Sequence, residues 1–310
     1  MVNDHITEFG GMPVEPFEAG NPLKNPRGKM IRIAIDYDEG EEGVKWVDRF
    51  AELMDDPKAA EIEGIVVGPW EEVTTGTESS PIVEALVAAR AKLPKLRAIF
   101  FGDVIGEESE ISWINQSDVS PILEAYPRLE HFAVRGGQGL SLGSPHHAAL
   151  RTLIVQAGGL PADVVRGLGR ADLPMLEHLE LWLGSDSYGG DATVEDLAPL
   201  LSGRPFPKLK YLGLKNSEIQ DDVAAAVVTS PLLSRLDVLD LSMGTLGDEG
   251  AQALLDNVAA LKKLKLLDIH YHYVSDELVE KLKNLGVDVD ASDVQEAGAE
   301  KDDRYAAVTE

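Results

Sequence analysis

The sequence predicts an α/β solenoid, a right-handed stack of strand–loop–helix units with parallel strands on the concave face and helices on the convex face. A recurring pattern, its internal alternation and the helical stretches between its copies carry that expectation. The spacing apolar-x-x-apolar-x-apolar starts at Ile62, Leu96, Leu129, Leu150, Leu176, Leu209, Leu236 and Leu264, at intervals of 34, 33, 21, 26, 33, 27 and 28 residues. The second half of each copy alternates with period two, as a strand with one buried face does. A unit of about 28 residues cannot bury its apolar face alone, so the units must stack.

Strands are expected at 64–68, 98–102, 131–135, 152–156, 178–182, 211–215, 238–242 and 266–270, and the alternating run Ile31–Asp36 reads as a divergent further copy. Leu212, Leu214, Leu239, Leu241, Leu267 and Ile269 are the inward side chains of the last three. Helical periodicity runs over Val44–Met54, Pro81–Leu93, Val119–Tyr126, Val194–Leu201, Gly250–Leu261 and Asp276–Leu285. Proline closes several helices before the next strand, at LPKL (93–96), YPRL (126–129), LPML (173–176) and FPKL (206–209).

LDVLDLSMGTLGDEGAQALLDNV (236–258) resembles a leucine-rich repeat of the ribonuclease-inhibitor type, and residues 216–228 and 273–282 resemble weaker copies. The resemblance spans roughly residues 60 to 290 and implies a leucine-rich repeat horseshoe. The loop Asn of such repeats is replaced by Gly158, Ser217, Gly244 and His272, so its hydrogen-bonded ladder is expected to be absent. The whole chain also resembles a group of bacterial leucine-rich repeat proteins, through His5, Phe9, Gly11 and Pro13 and through Ile33-Ala34-Ile35-Asp36-Tyr37. That likeness implies an N-terminal cap over residues 1–60, with one strand and one helix. The solenoid would then occupy 61–290, and the acidic stretch 291–310 is expected to be a mobile tail.

Composition excludes several functions. With 54 acidic and 28 basic side chains the chain carries a formal charge of −26, which opposes binding to nucleic-acid phosphates and to anionic membranes. It has no cysteine, hence no disulfide, thiolate metal site or cysteine nucleophile. The N-terminus lacks the basic start and apolar stretch of a secretion signal, and a cytoplasmic location is expected.

The chemical motifs are weak. Gly139-Leu140-Ser141-Leu142-Gly143 spells a nucleophile elbow, but the preceding glycines and Pro145 deny it the strand–turn–helix setting it needs. His270, His272 and Asp268 alternate along a strand and invite a metal reading, although polar residues on an exposed strand face need no metal; no metal and no cofactor is expected. Asp36, Asp38, Glu39, Glu41 and Glu42 lack calcium-loop spacing and read as a solvated edge. A pocket where Asp36, Tyr37 and Trp70 converge is the remaining possibility in the N-terminal region.

The concave rows say more. Their first half is small and apolar (Val66, Phe100, Ala133, Ile154), whereas from Glu180 onward they become charged and aromatic. Glu180, Trp182, Tyr211, Lys215, Asp240, Ser242, Asp268, His270 and Tyr271 are therefore the expected binding residues. The function expected is a non-catalytic scaffold that binds a protein or peptide, with a basic patch on that partner. The alternative is a hydrolase or other small-molecule enzyme using His270 with Asp268, or Ser141.

Overall fold

Parallel strands one repeat apart place equal positions side by side, and that register organises the whole chain. The structure, a computed structural model, describes residues 2–71, 73, 76–296 and 303–309. Among them twelve strands form one open sheet in chain order. They are β1 (Glu8–Phe9), β2 (Met12–Pro16), β3 (Met30–Ile33), β4 (Gly64–Val67), β5 (Ala98–Phe101) and β6 (His131–Arg135). The series continues with β7 (Thr152–Gln156), β8 (His178–Gly184), β9 (Tyr211–Ser217), β10 (Val238–Asp240), β11 (Leu266–Asp268) and β12 (Asp288–Asp290). Every neighbouring pair is parallel except the β1–β2 hairpin. The eight strands expected from the repeat pattern are all present.

Helices cover one side of the sheet: α1 (Tyr37–Glu41), α2 (Trp46–Asp55), α3 (Ser80–Ala88), α4 (Ser120–Ala125) and α5 (Ala162–Gly169). After them come α6 (Val194–Leu201), α7 (Gln220–Val228), α8 (Asp248–Asp256), α9 (Val258–Leu261) and α10 (Asp276–Lys283). Leu212, Leu214, Leu239, Leu241, Leu267 and Ile269 are fully buried between sheet and helices in one continuous core. That continuity is what stacked units require.

Three expectations are corrected. Among the described residues, the first 60 positions hold three strands and two α-helices rather than one of each. The acidic run is the solvated edge expected, with Asp36, Asp38, Glu41 and Glu42 exposed, and it also starts a helix: Asp36 caps α1 through a capping box with Glu39, and Arg49 grips the Glu39 carboxylate with two hydrogen bonds of 3.0 and 2.8 Å. That ion pair holds the Glu39 carboxyl below its usual range. Asp36, Tyr37 and Trp70 do not converge, because Trp70 is buried with its indole N–H on the Thr77 carbonyl while Tyr37 is 75% exposed.

The last correction concerns the C-terminus. Residues 303–309 pack against the solenoid instead of forming a mobile tail, whereas 297–302 lie outside the described residues. Arg304 pairs with the buried Asp221 at 3.2 Å, Ala307 N–H donates to the Met243 carbonyl, and Ala306 and Val308 are buried. Asn216 clamps Val308: its amide oxygen accepts the Val308 N–H at 2.8 Å and its amide nitrogen donates to the Val308 carbonyl.

In the loop after β9 a glutamine fills the turn. Gln220, fully buried, reaches the Leu214 carbonyl and the Ser217 N–H. A Cβ on Gly244 would stand 2.3 Å from the Gln220 side-chain oxygen, so only glycine lets this glutamine fill the loop.

Candidate functional site on the concave face

The concave face has two halves with different fates. Over the first half the chain covers itself. Phe9 and Met12 from the N-terminal hairpin pack with Met30, Val66, Ala98, Phe100 and Ala133 into a second apolar cluster. The Phe9 ring meets Phe100 edge-on at 5.6 Å and lies 6.0 Å from His131. Gly10 permits the approach with φ +58, since a Cβ there would come within 2.8 Å of the His131 ring. The small apolar row is therefore core, and no binding role is left for it.

Asp103, fully buried, fastens this cover. It receives Arg32 at 2.9 Å, Arg135 at 3.6 Å, His5 at 3.3 Å and the Ile6 N–H at 3.2 Å. Burial lowers the Arg135 pKa to about 10, against the pull of Asp103. Sequence reasoning missed this cluster because its members come from four separate segments.

The second half, from β8 to β12, has no such cover among the described residues, and here the structure joins most of the expected residues. The His178 and Tyr211 rings stack at 3.9 Å, on adjacent strands in register. The Tyr211 hydroxyl donates to Asp240 at 2.5 Å, and Lys215 pairs with the same carboxylate at 3.0 Å. Trp182 donates its indole N–H to Glu180 at 2.7 Å. His270 Nδ1 lies 2.8 Å from Asp268 Oδ1.

The electrostatics follow from partial burial. Burial alone would raise the Glu180 carboxyl, but the His178 ring, Lys215 and the Trp182 N–H outweigh it and hold it below the ordinary range. Burial would likewise lower Lys215, yet Glu180 and Asp240 push it up, so it stays charged. Burial and the same two carboxylates drive the Tyr211 phenol far upward, fixing it as a proton donor.

Three expected residues are placed differently. Trp182 is only 7% exposed and belongs to the main core. Ser242 is fully buried, and its hydroxyl has no hydrogen-bond partner among the described residues. Tyr271 has a left-handed φ of 57, so the strand alternation stops there. Its hydroxyl turns to the strand-end edge and donates to the Tyr305 carbonyl. The same reversal separates the two histidines: His272 is buried, with its Nδ1 accepting the Val274 N–H, and cannot join His270.

The row of expected aspartates gains a third member, Asp290, which sequence reasoning missed. Asp240, Asp268 and Asp290 occupy one position on β10, β11 and β12, and each accepts the N–H two residues on, from Ser242, His270 and Ser292. The Ser292 hydroxyl and N–H hold the Asp290 carboxyl below its usual range. Ligand atoms of Asp268, His270 and Asp290 lie within 4.8 Å of one another. The signal that could have found it is the alternation Asp288-Val289-Asp290, a short strand one repeat past Leu264.

Ser141 shows no catalytic setting. Its hydroxyl accepts the Gly143 N–H within the loop, and no imidazole or carboxylate bonds to it among the described residues. None of the described helices is long and apolar enough to cross a membrane.

No family model and no curated protein matches the chain. A crystal structure of a Bacteroides fragilis protein is 39% identical, with a TM-score of 0.79 over 86% of this chain and 74% of that one. A Leptospira interrogans leucine-rich repeat protein is 13% identical over 79% of this chain and 50% of its own, with a TM-score of 0.35. A Listeria monocytogenes internalin is 15% identical over 76% and 82%, at 0.27. These last two likenesses are too loose to argue from. The identity and coverage of the first, with the repeats now seen in register, show that this leucine-rich repeat chain belongs to the same family as the Bacteroides fragilis protein.

Proposed function

We propose that the chain is a non-catalytic scaffold that binds a protein or peptide on the β8–β12 half of its concave face. One observation carries this reading: the N-terminal segment covers the apolar half of that face, while the half built from His178, Glu180, Tyr211, Lys215, Asp268 and His270 is left half-exposed. Three carboxylates (Glu180, Asp268 and Asp290) stand on that half, while Lys215 is committed to the buried Asp240, so the partner that fits carries a basic patch.

The working surface is narrower than the sequence implied. Trp182, Asp240 and Ser242 are buried and support the face from below, whereas the His178–Tyr211 stack and the Asp268–His270 pair meet the partner. Affinity capture from native extract tests this, comparing the intact chain with Asp268→Lys. Retention should fall with the charge reversal and with rising salt. Retention indifferent to both would rule the surface out.

The Asp268–His270 pair is the observation that favours an enzyme. Such a pair polarises a proton, yet it projects from an open strand row where water screens developing charge. Turnover of a metabolite or peptide, abolished in His270→Ala, would establish that second reading.

A further inference from the structure

We propose that Asp268, His270 and Asp290 form a binding site for a divalent first-row transition metal, with zinc as the ion best suited to the donor set. The site does not depend on the partner-binding reading, since it is defined by the chain alone.

Register brings the ligands together. Asp268 and Asp290 are direct neighbours on parallel strands, and His270 stands two residues past Asp268. All three offer a ligand atom within 4.8 Å of the others. With metal–ligand bonds of about 2.0–2.2 Å, small side-chain rotations bring such a triad around one ion. Each aspartate is already oriented, because one oxygen accepts the backbone N–H two residues on. No hydrogen bond reaches the second oxygen of either carboxylate among the described residues.

One further feature points to a cation. Lys215, the lysine in the row, is committed to Asp240 at 3.0 Å, and among the described residues no basic side chain but His270 pairs with Asp268 and none forms an ion pair with Asp290. One imidazole and two carboxylates suit zinc and its neighbours rather than magnesium or calcium, which favour all-oxygen shells.

The test is titration of the purified, chelator-treated chain with zinc chloride, followed by calorimetry and by the thermal midpoint. One equivalent should bind and raise the midpoint, and magnesium should bind at least tenfold more weakly. His270→Ala and Asp290→Asn should each weaken zinc at least tenfold while the far-ultraviolet circular dichroism stays unchanged. His146→Ala, at an exposed histidine elsewhere, should bind as the parent does. Absence of zinc binding, or the parent's zinc affinity retained in both site variants, would overturn the proposal. If His270→Ala disturbs the fold, Asp290→Asn decides alone, being isosteric and on an exposed residue.

Discussion

Arg32 Nε lies 2.9 Å from Asp103 Oδ2, a pairing that joins β3 to the strand end of β5 beneath the N-terminal segment. Arg135 approaches the other oxygen of the same buried carboxylate from β6. Removing the carboxylate leaves two guanidinium groups facing each other away from water. Asp103→Ala should therefore cost about 3–5 kcal/mol in urea unfolding and expose residues 2–17 to protease first. A change below about 1 kcal/mol would mean that water replaces the carboxylate.

Leu239 sits fully buried on β10 between Leu212 and Leu267 of the flanking strands. Leu239→Ala should cost about 2–5 kcal/mol, since stacked repeats cannot close over the space left behind. The unfolding midpoint should fall with the denaturant slope unchanged; a shallower slope would mean that the array unfolds in parts.

His131 provides a pH dependence with a defined sign. Burial holds its pKa below the ordinary 6.5, against the opposing carboxylate of Glu130, and its Nδ1 contacts the Thr152 hydroxyl at 3.0 Å. The ring stays neutral in the fold and takes a proton in the unfolded chain. Stability from this group is complete above about pH 6.5 and is lost as pH falls toward the folded value. Thermal melts between pH 7.5 and 5.5 should thus show a smaller decline in His131→Gln than in the parent. Parallel declines would remove His131 as a cause.

Asn216 and the C-terminal segment should behave as one unit. Truncation after residue 302 removes the partner of the Asn216 amide, and Asn216→Ala removes the amide itself. Each should cost about 1–3 kcal/mol by leaving buried polar groups unpaired. The double change should cost little more than either alone, and full additivity in the unfolding free energies would show the two to be independent.

Much of this was legible in the sequence because the repeat sets both spacing and facing. Leu212, Leu239 and Leu267 could be placed as core from periodicity alone, as could the concave position of Glu180, Asp240 and Asp268. What stayed hidden depends on contacts between distant segments. Nothing near Phe9 announces that it covers Phe100, and nothing in Asp303–Thr309 announces a bed along Met243 and Asn216. Left-handed backbone was the other blind spot: Asn216, Met243, Tyr271 and Asp293 all have positive φ, and none is glycine. At Tyr271 that reversal sent the aromatic ring to the edge and His272 inward, breaking an alternation that looked secure.

The C-terminal segment also bears on how the open half of the face can move. It bonds in turn to Tyr273, Met243 and Asn216, the strand ends of three successive repeats, running back against the direction in which the chain laid them down. Spreading those repeats at this rim requires tearing several of its bonds at once. The bowl beneath therefore keeps one radius, and under the proposed binding role a partner would have to match it as a fixed mould instead of reshaping it. Recognition of that kind would lose little conformational entropy in the host, and its selectivity would rest on shape as much as on charge.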